Sequence, residues 1–254
     1  MSTVFSLSGK RAVVTGGTRG IGAAVARLLA QCGADVCVGY RSRTAEAEAM
    51  VAELMAMGVR AVAHGADLGD GAGADALIAA CVKAFGGVDI VVHSAGIWPV
   101  EEVPVHEMSD ERWLRTMREN TNAMFFVSRA GARAMGDGGR IVHVSSTAGQ
   151  RGESMHADYA ASKGAMISFV KSQAQELARR GITVNCVAPG WVDTEMCADV
   201  FADGGRERVA AGIPVGRVAS PGDVAFAVVS LCFDGARHLT GEIVNVNGGS
   251  VLCG

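Results

Sequence analysis

Seven short apolar runs alternate with helical segments along almost the whole chain. The first run is Arg11–Thr15 and the last is Glu242–Val246. The runs between them are Asp35–Gly39, Ala61–His64, Asp89–His93, Arg140–Val144 and Thr183–Val187. Because strands that are apolar throughout must be covered on both faces, the alternation is typical of a parallel sheet between two layers of helices. It predicts a single doubly wound α/β domain over residues 1–254, with a seven-stranded parallel sheet.

Helical periodicity fills the intervals between these runs. Ile21–Cys32 carries one apolar stripe, and Pro221–Phe233 follows Ser220, a residue type typical of helix N-caps. The other predicted helices are Ala45–Met57 closed by Gly58, Ala74–Phe85, a long helical region from Ser109 to Met135, and Ala157–Arg179 closed by Gly181. Residues 190–220 are the least regular and lie where a substrate lid could sit.

Composition excludes several classes of protein. The 254 residues are 49% hydrophobic, enough to fill a large core, and the net charge of −3 without a basic run argues against nucleic-acid or membrane-surface binding. The seven cysteines include no Cys-x-x-Cys pair and the six histidines show no metal-ligand spacing, so free thiols and no metal site are expected. Without a signal core at Met1–Lys10 or an apolar run long enough to span a bilayer, we expect a cytoplasmic protein.

A glycine-rich turn, Thr15-Gly16-Gly17-Thr18-Arg19-Gly20-Ile21-Gly22, joins the first strand to the first helix. Gly16 would let the chain turn, Gly20 would let the backbone approach a pyrophosphate, and Gly22 would let the helix pack closely. The helix N-terminus then offers free N–H groups and its positive dipole end to phosphates. Such a turn can be a simple tight connection, but its place between a strand and an amphipathic helix favours dinucleotide binding.

The end of the second strand indicates which dinucleotide binds. An acid there would hydrogen-bond the ribose diol and repel a 2′-phosphate. Residues 38–45 contain no acid, and Arg41 and Arg43 flank Ser42. With Arg19, these guanidinium groups could surround a phosphate, although solvated arginines would look the same in the sequence. The pattern favours NADP(H).

A tyrosine and a lysine stand four residues apart on one predicted helix. Tyr159 and Lys163 therefore project from the same face. An ammonium about 4 Å from the phenol would lower the phenol pKa by roughly three units, toward the range where acid–base catalysis is efficient. Such pairs are also common on helix surfaces.

Ser145 and Ser146 follow a strand end, where ligands bind in open α/β sheets, and a hydroxyl there could hold a substrate carbonyl.

Further motifs follow in a fixed order. They are Asp67-Leu68, Ser94-Ala95-Gly96, Asn120, Ser146, Tyr159-Ala160-Ala161-Ser162-Lys163, Pro189-Gly190 and Asn247-Gly248-Gly249. Together with the glycine turn they resemble a short-chain dehydrogenase/reductase over roughly residues 7–250. The resemblance implies a Rossmann fold and a homotetramer. Ser94 stands where that family has asparagine, so we expect a slightly less rigid turn.

The resemblance also implies roles for individual residues. Catalytic roles fall on Asn120, which would anchor a water, and on Ser146, Tyr159 and Lys163. Ser146 is preferred to Ser145 because it stands thirteen residues before Tyr159. The implied cofactor contacts are Gly16, Thr18, Arg19, Gly20, Ile21, Gly22, Arg41, Ser42, Asp67 (at the adenine), Leu68, Ser94, Ala95, Gly96, Tyr159, Lys163, Pro189, Gly190, Val192 and Thr194.

The expected activity is NADPH-dependent reduction of a ketone or a 3-oxoacyl thioester, with Tyr159 as proton donor. The 3-oxoacyl carrier-protein reductases are the branch that the chain resembles most. Arg133 and Arg180 match their positions for docking an acyl carrier protein, although the turn between them lacks further basic residues. The alternative is a dehydrogenase of a sugar, steroid or small secondary alcohol, and a remote one is a non-catalytic regulatory protein that binds the cofactor.

Two smaller predictions concern the surroundings of the serines. A hydrolase built on Ser146, His156 and Asp158 is not favoured, because the Gly-x-Ser-x-Gly elbow is missing. An apolar substrate cleft could be lined by Trp98, Met155, Trp191 and Met196, although ordinary packing would account for each of them.

Overall fold

The computed structural model describes residues 5–252 and contains the predicted sheet. Its strands are β1 (Arg11–Thr15), β2 (Asp35–Tyr40), β3 (Ala61–Gly65), β4 (Val88–His93), β5 (Met135–Val144), β6 (Thr183–Pro189) and β7 (Ile243–Val246). All neighbours pair in parallel, in the order β3-β2-β1-β4-β5-β6-β7. The chain thus proceeds outward from β1 in one direction and from β4 in the other. This arrangement opens a crevice between the carboxyl ends of β1 and β4, the usual ligand position in such sheets.

Helices cover both faces of the sheet. The α-helices are α1 (Gly20–Gln31), α2 (Thr44–Ala56), α3 (Gly71–Phe85), α4 (Asp110–Thr116), α5 (Ala123–Ala134), α6 (Ala148–Arg151), α7 (Ala157–Leu177), α8 (Ala198–Phe201), α9 (Gly205–Ala211) and α10 (Pro221–Ser230). A π-helical turn, Met117–Asn122, joins α4 to α5, and a 3-10 turn covers Glu195–Cys197. Helices α1, α2 and α10 contribute to one core, and α3, α5 and α7 to the other.

Alternate residues of each strand enter opposite cores. In β1, Ala12 and Val14 pack on the side of α1, whereas Val13 packs on the side of α3. All three are completely buried. Burying a valine side chain stabilises a fold by roughly 1.5–3 kcal/mol, so apolar residues are favoured at the covered positions of such a strand.

The start predicted after Ser220 and the ends predicted at Gly58 and Gly181 are confirmed, whereas α3 begins three residues before the predicted Ala74 and α10 ends three residues before the predicted Phe233. The Ser220 hydroxyl accepts a hydrogen bond from the N–H of Asp223, whose carboxylate accepts from the N–H of Ser220. Gly58 and Gly181 follow their helices with φ values of 89° and 65°, a conformation that favours glycine. Strand β5 begins earlier than predicted, because Met135 already pairs with Val88 ahead of a register shift.

The segment predicted to be least regular, residues 190–220, contains three short helical pieces separated by turns and irregular chain. It contains the 3-10 turn Glu195–Cys197 and helices α8 and α9, of four and seven residues. The sequence did not reveal these helices because they complete too few turns to show an apolar stripe.

No helix within residues 5–252 is long and apolar enough to cross a membrane. No group of three or more His, Cys, Asp or Glu side chains in that range could hold a metal ion. The six cysteines of the range are free thiols, and Cys253 lies outside the described residues.

Candidate active site

The glycine-rich turn after β1 brings backbone close to the crevice. Gly16 and Gly20 have φ values of 63° and 51°, which side chains disfavour. A Cβ on Gly22 would lie 2.2 Å from the carbonyl oxygen of Gly16, so only glycine lets α1 begin this close to the turn. Arg19 at the N-cap supplies no side-chain hydrogen bond to the helix. The N–H groups at the start of α1 are therefore available to an anionic ligand.

Thr15 joins the ends of β1 and β4 at the crevice. Its hydroxyl oxygen accepts hydrogen bonds from the N–H groups of Ser94 at 3.1 Å and Ala95 at 3.0 Å. The same oxygen lies 3.1 Å from Nδ1 of the buried His93. Because both lone pairs of the hydroxyl are used, its hydrogen is donated to His93. The backbone of the turn that begins at Ser94 is thus fixed through Thr15.

A first cleft of about 250 Å³ opens above the glycine turn. The predicted cofactor contacts that line it are Gly16, Thr18, Arg19, Gly20, Ile21, Gly22, Arg41, Ser42, Leu68, Ser94, Ala95, Gly96 and Thr194. Asp67 does not line this cleft. Its carboxylate accepts from Arg118 at 2.7 Å and from the N–H of Gly69 at 3.0 Å, and the arginine lowers the pKa of the carboxyl group.

The three arginines expected to hold a phosphate are each paired with a carboxylate. Arg19 and Arg43 both contact Glu195, at 2.9 and 3.1 Å, and Arg41 forms an ion pair with Glu119. Sequence reasoning missed both acids. A separation of 176 residues between Arg19 and Glu195 leaves no local pattern that could have revealed the contact.

A second cleft, of about 460 Å³, contains three of the predicted catalytic side chains: Ser146, Tyr159 and Lys163. Pro189, Gly190 and Val192 line it from the end of β6 and the residues that follow. The residues common to both clefts are Ile21, Ser94, Gly96, Ile97, Thr194 and Met196. A ligand in the first cleft can therefore reach the tyrosine and the serine in the second.

The two adjacent serines have different partners. Ser145 is buried, and its hydroxyl donates to the backbone carbonyl of Lys163 at 2.9 Å, which ties β5 to α7. The Ser146 oxygen accepts from the N–H of Ala148 at 3.1 Å. Ser146 also lies beside the phenol of Tyr159, and its interaction with the phenol acts to lower the phenol pKa. The geometry therefore favours Ser146 as the serine that meets a substrate.

Lys163 is buried, and no carboxylate among residues 5–252 pairs with it. Its ammonium donates to the carbonyl of Val144 at 3.0 Å and would lie 3.6 Å from a Cβ on Gly96. Burial lowers the pKa of Lys163 to about 8, because the charged form loses its hydration.

The expectation that Lys163 brings the pKa of Tyr159 down toward neutrality is wrong for this structure. The ammonium lies 5.7 Å from the centre of the Tyr159 ring and donates its hydrogen bond to Val144. Burial raises the pKa of Tyr159 above its usual value near 10, and the interaction with Ser146 opposes this only in part. The phenol consequently keeps its proton across the neutral range.

Asn120 lies behind the clefts and lines neither of them. Its Oδ1 accepts from the N–H of Ile97 at 2.8 Å, and its Nδ2 donates to the carbonyl of Ile97 at 3.0 Å and to Ser162 at 2.9 Å. Both amide hydrogens are used, so the side chain has no donor left for the predicted water. In this structure the Asn120 side chain is a positioning group that fixes the backbone after Gly96 to α7.

Aromatic side chains form one wall of the second cleft. Trp98 and Trp191 lie 6.0 Å apart between ring centres, and both line the cleft, as does Met196. Met155 does not line it and is exposed. Three charged lining residues were missed because no motif marks them: Arg151, Glu153 and Arg208. Of these, Glu153 accepts from the Trp98 indole at 3.2 Å, and burial raises the pKa of its carboxyl group.

The residues of the rejected hydrolase serve other purposes. His156 stacks on Trp98 with 4.8 Å between ring centres. Asp158 accepts hydrogen bonds from Thr116 at 2.7 Å and from Arg112 at 3.2 Å. Neither side chain is paired with Ser146, which agrees with the prediction against a hydrolytic triad.

Comparisons with known proteins extend over almost the entire chain. The family model described as enoyl-(acyl carrier protein) reductase matches residues 16–250. Versicolorin reductase 1 of Aspergillus parasiticus is 40% identical, covering 98% of this chain and 99% of that protein. The 3-oxoacyl-(acyl-carrier-protein) reductase of Vibrio cholerae is 39% identical, covering 98% of this chain and 100% of that protein.

A solved structure shows the same fold. A short-chain dehydrogenase from Burkholderia cenocepacia in complex with NADP superposes with a TM-score of 0.89 at 37% identity, covering 96% of this chain and 98% of that chain. The parallel sheet and the glycine turn of this chain therefore belong to a fold that it shares with that dehydrogenase.

Proposed function

Because the chain belongs to the short-chain dehydrogenase/reductase family and is an oxidoreductase, we propose that it uses NADPH to reduce a ketone or a 3-oxoacyl thioester. One observation carries the proposal. The hydroxyls of Ser146 and Tyr159 lie together in a cleft that is continuous with the cleft above the glycine turn. A carbonyl group bound there would meet a hydrogen-bond donor and a proton donor beside the dinucleotide.

The residues around the first cleft fit a phosphorylated dinucleotide. Gly22 leaves room for the start of α1, whose uncapped N–H groups would bind the pyrophosphate. Arg19, Arg41 and Arg43 would surround a 2′-phosphate, and the end of β2 offers no carboxylate to the ribose. When bound, the nicotinamide ring would supply the hydride. Lys163 would hold the adjoining ribose, with Gly96 keeping that approach open.

The protein's own groups would then handle the substrate oxygen. Ser146 would donate a hydrogen bond to the carbonyl and fix its orientation. As negative charge develops on that oxygen, it becomes a stronger base than a phenolate, so Tyr159 would transfer its proton despite its raised pKa. The ammonium of Lys163, 5.7 Å from the ring, would stabilise the resulting phenolate.

The cofactor preference can be tested with a charge reversal. Arg41→Asp exchanges an attractive group for a repulsive one, so it should weaken NADPH binding at least tenfold and NADH binding much less. Arg237→Asp is the matched control, because Arg237 is exposed and lines neither cleft. Equal affinity of the unchanged protein for NADPH and NADH would contradict the proposal.

The identity of the substrate can be narrowed by a panel. NADPH oxidation would be followed with acetoacetyl coenzyme A, the same acyl group on an acyl carrier protein, quinones, simple ketones and ketosugars. Turnover with the thioesters or ketones supports the proposal. Exclusive oxidation of sugars, steroids or small alcohols with NADP would instead support the alternative dehydrogenase.

Docking of an acyl carrier protein would rest on two arginines, Arg133 and Arg180. Arg133 is exposed and available for an acidic partner. Arg180, the other candidate, donates instead to the backbone carbonyls of Ala132 at 2.8 Å and Met135 at 2.5 Å. If a carrier binds at Arg133, the variant Arg133→Glu should raise the KM for the carrier-bound substrate and leave that for acetoacetyl coenzyme A unchanged.

We propose further that the enzyme acts in the cytoplasm.

A further inference from the structure

A single carboxylate connects two arginines across the mouth of the first cleft. Glu195 contacts Arg19, which follows β1, at 2.9 Å and Arg43, which follows β2, at 3.1 Å. We refer to these three side chains as the Glu195 bridge. All three line the cleft and are about half exposed, so a ligand can reach them from solvent.

The bridge occupies the groups that a phosphate would need. Arg19 donates through Nη1 and Arg43 through Nη2, and both contacts reach the same oxygen, Oε2. The two guanidinium groups lower the pKa of Glu195, so its carboxylate stays charged at neutral pH. A phosphate between these arginines would compete for the donors that the carboxylate already holds.

The bridge also ties the first cleft to the second. Glu195 stands between Thr194 and Met196, both of which line the two clefts, and Cys197 after them lines the second cleft. The side chain of Thr194 would lie 3.3 Å from a Cβ on Gly20, so this segment touches the glycine turn. Loss of the Glu195 contacts would remove two ion pairs that hold this segment to Arg19 and Arg43. The segment lies where the first cleft, for the cofactor, meets the second cleft, for the substrate.

We propose that Glu195 is a specificity-determining residue that a 2′-phosphate must displace from Arg19 and Arg43. The inference rests on the proposed use of NADP(H). It predicts that Glu195 weakens the binding of 2′-phosphorylated nucleotides and leaves nucleotides without that phosphate unaffected. When the 2′-phosphate replaces the Glu195 carboxylate on the two arginines, the segment that begins at Thr194 would lose these two ion pairs. Cofactor binding would thereby be coupled to access to the second cleft.

The test measures nucleotide affinity by calorimetry, with 2′,5′-ADP and 5′-AMP as probes, and needs no turnover. Glu195→Gln removes the charge and should tighten 2′,5′-ADP binding by about 3- to 10-fold, as expected for two exposed ion pairs. Binding of 5′-AMP should change less than twofold. Glu195→Asp keeps the charge but shortens the side chain, so it should also tighten 2′,5′-ADP binding.

Asp199→Asn is the matched control. Asp199 is exposed on the same segment, and it forms no ion pair with the arginines that the structure describes. It should leave both affinities unchanged. If Asp199→Asn tightens 2′,5′-ADP binding as much as Glu195→Gln does, or if Glu195→Asp behaves like the unchanged protein, the effect is one of overall charge and the inference is wrong.

The outcomes also separate the inference from the proposed function. If the unchanged protein prefers 2′,5′-ADP but Glu195→Gln binds it no more tightly, the inference fails and the NADP(H) proposal stands. Tighter binding of 2′,5′-ADP only after Glu195→Gln would support the bridge even where the unchanged protein shows little preference. Equal binding of both probes by both proteins would overturn both.

Discussion

The ammonium of Lys163 lies 5.7 Å from the centre of the Tyr159 ring and donates its hydrogen bond to the carbonyl of Val144, 3.0 Å away. Burial acts on both groups, lowering the pKa of the lysine to about 8 and raising that of the tyrosine. As the pH increases, the lysine therefore loses its proton before the tyrosine does. A phenolate paired with an ammonium is consequently not the resting state of the site.

We predict that the alkaline decline of carbonyl reduction belongs to Lys163. The ammonium is charged below about pH 8 and is lost as the pH rises through that value, so kcat/KM should fall there. Lys163→Arg, which keeps its charge, should remove this decline between pH 7 and 10, provided that circular dichroism shows an unchanged fold. Binding of 2′,5′-ADP, which lacks the nicotinamide ribose, should show no decline near pH 8. An unaltered decline in the arginine variant would contradict this assignment.

Tyr159 is predicted to be the proton donor. Tyr159→Phe deletes only the hydroxyl, so the fold and the affinity for NADPH should persist while turnover falls by ~10²–10⁴-fold. The measurements are steady-state NADPH oxidation and a direct titration of NADPH. Near-normal turnover in this variant would show that Tyr159 is not the proton donor. It would also contradict the assignment of the second cleft as the active site.

The adjacent serines provide a matched pair of variants. Ser146→Ala removes the hydroxyl beside Tyr159 and should lower turnover by about 10²–10³-fold with little effect on stability. Ser145→Ala removes the hydrogen bond to the buried carbonyl of Lys163 and should cost about 1–3 kcal/mol in the free energy of unfolding. Urea unfolding and steady-state kinetics on both variants test the assignment. The reverse pattern would show that Ser145 is the catalytic serine.

Much of the fold could be predicted because its signals are local. Each strand is marked by a run such as Arg11–Thr15, whose composition reflects burial on both faces, and α10 is marked by its cap, Ser220. The two clefts follow from the topology, since ligands bind where the strand order reverses. Short helices such as α8 escaped prediction because four residues cannot display a period.

The electrostatics of the site could not be predicted in the same way. A spacing of four residues places Tyr159 and Lys163 on one face, but it does not reveal that Val144 takes the ammonium or that burial controls both pKa values. Likewise, Arg19 and Arg43 could be identified from their positions after β1 and β2. Their partner Glu195 lies after β6, and the sequence shows no sign of that contact. Contacts between distant segments depend on the assembled fold.

A subunit interface is predicted on the helices that carry Asn120 and Tyr159. Next to them, Leu114 on α4 is 64% exposed and Phe125 on α5 is 40% exposed, apolar area that association would bury. We expect a homotetramer in sedimentation at micromolar concentration. Leu114→Glu should shift the protein to smaller species, whereas Met55→Glu, on the exposed side of α2, should not. A purely monomeric unchanged protein would refute the interface.

The last prediction concerns two histidines buried beneath the site. His93 and His143 lie 5.9 Å apart between ring centres, and burial lowers the pKa of His93 and lowers that of His143 to about 4. In the unfolded chain both would titrate near 6.5, so the unfolded state binds more protons once the pH falls below that value. The stability that these two neutral histidines contribute should therefore be fully present above about pH 6.5 and decline as the pH falls toward 4.

For His143 the loss between pH 7 and pH 5 should be on the order of 2 kcal/mol, measured by urea unfolding at the two pH values. His143→Phe leaves the Ser128 hydroxyl without its partner, so the variant should be less stable at pH 7 but lose about 2 kcal/mol less on acidification. His106→Phe is the control, because His106 is exposed and its removal should leave the pH dependence unchanged. If His143→Phe loses as much stability between pH 7 and pH 5 as the unchanged protein, the imidazole of His143 is not buried in its neutral form.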